Sequence, residues 1–160
     1  MSIRVGNGFD VHKLKEGTPL FLGGILIPYK KGSLGHSDGD VLIHSIVDAI
    51  FGALALGDLG LHFPSNDDKW KGAKSQIFLE YAFNTIKEKE FLIQNIDSTI
   101  ILQKPIISHY ILPMRKKIGE ILSMNIDDIS IKATTTDGLG YIGRGEGIAA
   151  QSVLLLANGN

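Results

Sequence analysis

The stretch SDGDVLIHSIVDAIFGALAL, residues 37–56, decides the architecture. Ser37-Asp38-Gly39-Asp40 stands ahead of an apolar run in which Leu42, Ile46, Ile50 and Leu54 recur at four-residue spacing. Ser and Asp side chains accept the free N–H groups of a helix start, and a four-residue apolar repeat shares one helical face. The run predicts a buried helix over 41–56, ended near Gly57. Upstream, Ile3, Val5, Phe9 and Val11 alternate loosely, and 20–29 is an apolar run punctuated by Gly23-Gly24 and Pro28. Both read as short, kinked strands. Downstream, 60–72 is polar and turn-rich and reads as a mobile loop. A second helical pattern follows with Ile77, Tyr81 and Ile86 on one face. Residues 93–102 have strand composition, and 108–122 read as a third helix with Met114, Ile118, Ile121 and Leu122 apolar. Residues 129–133 alternate strictly, 138–147 are glycine-rich, and 148–156 form a closing strand. This order, without linker, charge block or repeat, predicts one α+β domain over 1–160, a mixed sheet with helices on one face.

Composition narrows the function. At 160 residues, 44% hydrophobic and 21% charged, the chain is long and apolar enough for a real core. Sixteen Lys+Arg against 17 Asp+Glu give a formal net charge of -1, so no positive field gathers nucleic acid or an anionic membrane. The absence of cysteine removes disulfides, thiolate metal sites and thiol nucleophiles, so any metal must use His and carboxylate. The amino terminus has no apolar signal core, and His44, Ser45 and Asp48 interrupt the longest apolar run, short of the roughly 20 residues a membrane span needs. A soluble cytoplasmic protein is expected; a plastid protein supplied without its transit peptide would look the same.

Several constellations carry chemistry. Asp10 and His12 lie two apart in a strand and project on one face. With His44 they make a carboxylate and two imidazoles, a set suited to Zn²⁺ with a fourth position open. The competing reading pairs Asp10 with a lysine and leaves both histidines as ordinary polar residues. Asp48, four residues after His44 on the same helix, is placed to accept its second ring N–H, or else the two form a stripe facing water. His36-Ser37-Asp38-Gly39-Asp40 offers backbone N–H groups to an anion such as phosphate, or serves only to cap the helix. Thr134-Thr135-Thr136-Asp137 sets hydroxyls for phosphoryl oxygens and a carboxylate for a hard cation such as Mg²⁺, or forms a β-turn with an Asx cap. Gly143-Arg144-Gly145-Glu146-Gly147 lacks the signatures of a Walker loop and of a dinucleotide fingerprint.

Taken together, GFDVH (8–12), GHSDGDVLIH (35–44), ALGDLGLHFP (55–64), QKP (103–105) and IKATTTDGLGYIGRGEGIAA (131–150) resemble the 2-C-methyl-D-erythritol 2,4-cyclodiphosphate synthase family of the non-mevalonate isoprenoid pathway. The likeness is collinear from about Ile3 to Val153. It implies a ferredoxin-like layout and a homotrimer with active sites between neighbouring chains. It implies a lyase reaction in which the 2-phosphate of 4-diphosphocytidyl-2-C-methyl-D-erythritol 2-phosphate attacks the β-phosphate, closing the cyclic diphosphate and releasing CMP. By this resemblance Asp10, His12 and His44 would ligate one Zn²⁺ per subunit and meet substrate. His36 and Ser37 would contact substrate, with His36 and Thr135 stabilising the transition state. Asp58, Leu59 and Gly60 would line the methylerythritol pocket, with Phe63, Pro64, Ser65, Asn66 and Asp67 over it. Leu102, Gln103, Lys104, Pro105, Ile106, Ile107, Ser108, Thr134, Thr135, Thr136 and Asp137 would surround the cytidine and its phosphates, donated by the neighbouring chain. Tyr141 and Arg144 would also sit at substrate positions. Asp137 stands where the family usually has Glu, and would hold Mg²⁺ or Mn²⁺. Ile106 replaces a common lysine, and Tyr141 a frequent Phe. Arg144 and Glu146 match a charged pair facing the trimer's central cavity, where a prenyl diphosphate lodges in some members. Two other readings compete: a zinc hydrolase with Asp48 or Asp58 as base, and a non-catalytic metal- or prenyl-phosphate-binding module.

Overall fold

A computed structural model describes residues 1–159. Seven strands and five α-helices follow in the order β1 (Ile3–Glu16), β2 (Leu20–Leu22), β3 (Ile25–Ile27), β4 (Lys31–Leu34), α1 (Val41–Ala53), α2 (Leu59–His62), α3 (Ser75–Glu88), β5 (Phe91–Ile101), α4 (Ile111–Leu122), β6 (Ile129–Thr134), α5 (Gly140–Gly143) and β7 (Gly147–Asn158). The main sheet has the order β4-β1-β7-β5-β6. Its pairs are antiparallel except β5 with β6, so the sheet is mixed, and β2 and β3 form a separate hairpin. α1 packs on β1 and β7, α3 on α1 and β5, and α4 on β6 and α3. Among the described residues no helix is long and apolar enough to cross a membrane.

Alternation along β1 explains how α1 seats. Gly6, Gly8 and Leu14 are buried on one face, while Val5, Phe9 and Val11 are exposed on the other. A Cβ at Gly6 would stand 1.8 Å from the carbonyl oxygen of Ala49, and one at Gly8 1.9 Å from that of Ser45. The helix therefore lies backbone to backbone on β1, an approach only glycine permits. Asp10 and His12 continue the same face of β1, directly beside the contact.

The start of α1 is pinned by Asp40. Its buried carboxylate accepts N–H groups from Ile43 (3.0 Å) in the helix and from Gly23 (3.0 Å) and Gly24 (2.7 Å) in the hairpin turn. Burial pushes the carboxyl above its usual range, against the lowering effect of those N–H groups. Gly23 and Gly24 have φ of 58° and 74°, the positive pair of a type I′ hairpin turn.

Several expectations shift. The first strand runs on to Glu16, and 20–29 is a hairpin rather than one strand. β4 is unanticipated because KGSL offers a single large apolar side chain, its Gly32 lying under the Pro19 carbonyl. α1 ends at Ala53, with Ala55 and Gly57 at positive φ beyond it. On α3 the buried stripe is Phe78, Leu79, Ala82 and Ile86; Ile77 and Tyr81 lie a step round the helix, 46% and 48% exposed. The 60–72 segment carries α2 and a 3₁₀ turn at Asp68–Trp70.

Gly8→Ala should lower the unfolding free energy by about 3 kcal/mol, since the methyl meets backbone rather than a yielding side chain. Gly52→Ala on α1, whose nearest atom would be the Asn7 carbonyl oxygen at 3.8 Å, should be neutral or stabilising by up to about 1 kcal/mol. Urea unfolding of both variants checks this; equal effects would contradict the contact.

Candidate active site

Backbone contact between α1 and β1 lowers His44 onto the pair Asp10 and His12. Asp10 Oδ2 lies 2.9 Å from His12 Nε2 and 3.0 Å from His44 Nδ1, and the two nitrogens are 3.1 Å apart. Among the described residues this is the one group of three whose ligand atoms converge in this way. A tetrahedral ion held at about 2.0–2.2 Å sets its ligands roughly 3.3 Å apart, so the triangle fits a metal with only small expansion. The chemistry fits too, because an acceptor-only carboxylate and two imidazole nitrogens present lone pairs to one point. Burial pushes the Asp10 carboxyl up, but hydrogen bonds and charge from His12 and His44 outweigh it and hold the group well below the usual carboxylate range. Asp10 pairs with imidazoles rather than a lysine.

The outer partners differ from expectation. His44 Nε2 lies 2.8 Å from Ser75 Oγ and 3.2 Å from Ser37 Oγ, not against Asp48. Asp48 instead accepts the Leu59 N–H at 2.7 Å at the start of α2, where Asp58 accepts that of Leu61 at 2.8 Å. Sharing a helical face was not enough, because the His44 Nε2 is taken by Ser75 and Ser37 and the Asp48 carboxylate by the Leu59 N–H. Desolvation raises the Asp48 carboxyl, and the Leu59 N–H only partly offsets it. Ser75 hydrogen-bonds Asp38 through both its hydroxyl and its N–H. Neither Ser75 nor the side chain of Asp38 was legible as part of the site: Ser75 sits 31 residues beyond His44, and Asp38 looked like a cap.

Above the triangle lies a cavity of about 170 Å³, lined by Asp10, His12, His36, Ser37, His44, Leu59, Phe63, Ser65, Trp70 and Phe78. Of the segment expected over the pocket, Leu59, Phe63 and Ser65 reach the lining. Gly60 lies within α2, and Asp58, Pro64, Asn66 and Asp67 belong to the flanking segments, Asp58 capping α2 and Asp67 the 3₁₀ turn. His36 Nε2 donates to the Asp67 carbonyl at 3.1 Å, tying the wall to that turn. Phe63 packs on Phe78 and Trp70 at centroid distances of 4.4 and 5.0 Å, so two unanticipated aromatics complete the wall.

A second cavity, about 500 Å³, is lined by Leu102, Gln103, Pro105, Ile106, Ile107, Ser108, Ile111, Ala133, Thr134 and Thr135. It brings the QKP and threonine segments together, with Lys104, Thr136 and Asp137 outside its lining. The turn there is held by threonines rather than an Asx cap: Thr135 Oγ1 accepts the Asp137 N–H at 3.2 Å and Thr136 Oγ1 donates to the Leu139 carbonyl at 2.7 Å. Asp137 is exposed, at φ 56°. His36 and Thr135 thus line different cavities within one chain. A third cavity, about 450 Å³, is lined by Val11, His12, Lys13, Tyr141, Glu146 and Gly147. Arg144 and Glu146 form an exposed two-point pair at 2.9 and 3.2 Å, which raises the guanidinium and lowers the carboxyl.

The model of the YgbB family matches residues 3–157. A 2-C-methyl-D-erythritol 2,4-cyclodiphosphate synthase of Clostridium kluyveri is 56% identical over 156 residues, 98% of this chain and 95% of that one. The synthase of the same name from Clostridioides difficile is 55% identical over 154 residues, 96% of both. Among solved structures, a CDP complex of IspF from Plasmodium falciparum superposes with a TM-score of 0.88 at 40% identity, covering 99% of this chain and 98% of that one. The bifunctional IspDF from Campylobacter jejuni gives 0.95 at 42% identity over 99% of this chain, which spans only 43% of that longer protein. Matched almost from end to end by the family model and more than half identical to these bacterial synthases, the chain belongs to the YgbB family.

Proposed function

We propose that the protein converts 4-diphosphocytidyl-2-C-methyl-D-erythritol 2-phosphate to 2-C-methyl-D-erythritol 2,4-cyclodiphosphate and CMP, a lyase step of isoprenoid biosynthesis. The observation that carries this reading is the convergence of Asp10, His12 and His44 beneath His36 and Ser37, in a member of this family.

The nucleophile is the substrate's own 2-phosphate, anionic at neutral pH, so no side chain has to be deprotonated first. Positioning and charge stabilisation supply most of the acceleration of such a phosphoryl transfer. Asp10, His12 and His44 would hold Zn²⁺, and Asp137 a Mg²⁺ or Mn²⁺ beside the diphosphate. Bound in this way, the ions supply Lewis-acid polarisation of phosphoryl oxygens and neutralise charge. His36 and Ser37 face the same cavity: the Ser37 hydroxyl would donate to phosphoryl oxygens, and His36 would do so by exchanging its bond to the Asp67 carbonyl for one to substrate. Phe63, Trp70 and Phe78 exclude water from the reacting centre. Asp58, Leu59 and Gly60, with 63–67, would hold the methylerythritol. The larger cavity would take the cytidine, with the Thr135 hydroxyl in its lining offered to the phosphates, and Tyr141, which lines the third cavity, and Arg144 would meet substrate as well.

The active unit is read as a homotrimer of ferredoxin-like chains. Two features support it. His36 and Thr135 occupy separate cavities of one chain, and a neighbouring copy would join them. The sheet face opposite the helices also exposes Ile3, Val5, Phe9, Val11 and Val153 to between 42% and 65%, an apolar surface suited to burial between copies. Arg144 and Glu146 would then border a central cavity able to take a prenyl diphosphate. Bacterial relatives favour a cytoplasmic location.

Asp10→Asn or His44→Ala should lower CMP release by at least about 100-fold, the loss of some 3 kcal/mol of transition-state stabilisation, with the far-ultraviolet circular dichroism unchanged. Near-native turnover in metal-replete buffer would defeat the assignment. Metal removal, verified by elemental analysis, should abolish activity, and Zn²⁺ with Mg²⁺ should restore it; turnover that survives stripping would reject the metal role. Run in ¹⁸O-labelled water, the reaction should give CMP and a cyclic product without label, whereas label in either product would identify a hydrolase.

A further inference from the structure

His44 turns its second ring nitrogen into the protein. Nδ1 faces Asp10 and His12, while Nε2 meets the hydroxyl of Ser75 at 2.8 Å. Ser75 is fully buried at the start of α3, and its hydroxyl is hydrogen-bonded to Asp38 Oδ1. Asp38 is itself fixed. Its Oδ2 accepts the Ser75 N–H at 2.9 Å, its Oδ1 accepts the Asp40 N–H at 3.1 Å, and its own N–H donates to the Ala73 carbonyl at 3.0 Å. The Gly72 N–H donates to the His36 carbonyl at 2.7 Å, so 36–40 and 72–75 are laced together beside the ring.

The direction of the protons follows from the types of group. A carboxylate only accepts, so the single hydroxyl proton of Ser75 goes to Asp38, and Ser75 Oγ shows His44 nothing but lone pairs. Ser75 therefore favours the ring proton on Nε2, the tautomer whose Nδ1 lone pair is free for a cation, whereas Asp10 Oδ2, 3.0 Å from Nδ1, competes for that proton until a cation takes its place. A neutral imidazole bearing its proton on Nδ1 has no lone pair there to offer a cation. Ser37 Oγ is the weaker partner at 3.2 Å, and at 3.4 Å it also receives the Gly39 N–H.

We propose that Asp38 and Ser75 are positioning residues that set the tautomer of His44 and so preload its Nδ1 for metal, a role resting on the metal centre described above. Asp38→Asn and Ser75→Ala separate this role from a merely structural one. In the near-isosteric Asn, which loses the charge and one acceptor oxygen, the NH₂ must face either the Asp40 or the Ser75 N–H, so the hold on the hydroxyl proton weakens and Ser75 is free to donate to Nε2. The alanine variant only removes the preference. Two measurements on the full metal-free chain decide it: histidine ring ¹⁵N shifts by long-range ¹H–¹⁵N correlation, and zinc affinity by competition with a chromogenic chelator. Because Asp10 pulls the proton toward Nδ1 in every variant, the comparison is relative: expected are a larger share of the Nε2–H form in the unaltered protein than in either variant, about 10–100-fold weaker zinc binding in Asp38→Asn, and a smaller loss in Ser75→Ala. No more Nε2–H ring in the unaltered protein than in the variants, or native zinc affinity in both variants, would overturn the role. An unaltered chain that bound no zinc would instead defeat the metal centre, and the role with it.

Discussion

The backbone contact between β1 and α1 is the constraint on which the other features depend. Gly6 and Gly8 let the carbonyls of Ala49 and Ser45 approach to where any Cβ would stand. The seat of the helix sets the height of His44 over Asp10 and His12, and a side chain at either glycine would lift the ring off the triangle. Buried hydroxyls add a second tie. Ser45 Oγ donates to the Leu42 carbonyl, Ser152 lies 2.7 Å from Ser45, and Ser98 lies 2.8 Å from Ser152. Helix α1 is thereby bonded to β7 and β5 through groups that would each cost about 1–3 kcal/mol if left unpaired.

Charge in this region is arranged in layers. Asp40 is committed to backbone N–H groups of the hairpin and helix, Asp38 to Ser75, and Asp48 to the amide that opens α2. That leaves Asp10 as the carboxylate aimed at the metal position. With a divalent ion in place, one carboxylate and two neutral imidazoles leave a net positive charge, the sign that a phosphorylated substrate requires. A second inward-facing carboxylate would cancel it.

Much of this was legible in the chain itself. The D-x-H pair declared its shared face because strands alternate strictly, and the helix bearing His44 declared itself through four-residue apolar spacing and its caps. The GHSDGDVLIH and ATTTDG segments were long enough to carry the family resemblance. What escaped was set by distance or by smallness. β4 escaped because its contribution is a glycine and a serine. The roles of Asp38 and Ser75 escaped because only tertiary packing brings 36–40 against 72–75. Asp48 misled because four-residue spacing fixes a face but not which hydrogen bond a short carboxylate will prefer. The stripe on α3 was displaced because Ile77 and Tyr81 are as apolar as the residues that pack, and spacing alone does not say which flank meets α1.

Zinc K-edge X-ray absorption on the substrate-free, zinc-loaded protein tests the central claim most directly. The account predicts one zinc per chain, with two imidazole nitrogens and one carboxylate oxygen at about 2.0–2.2 Å and an exchangeable oxygen as the remaining ligand. A substoichiometric ion, or a first shell that lacks the two imidazoles, would contradict it.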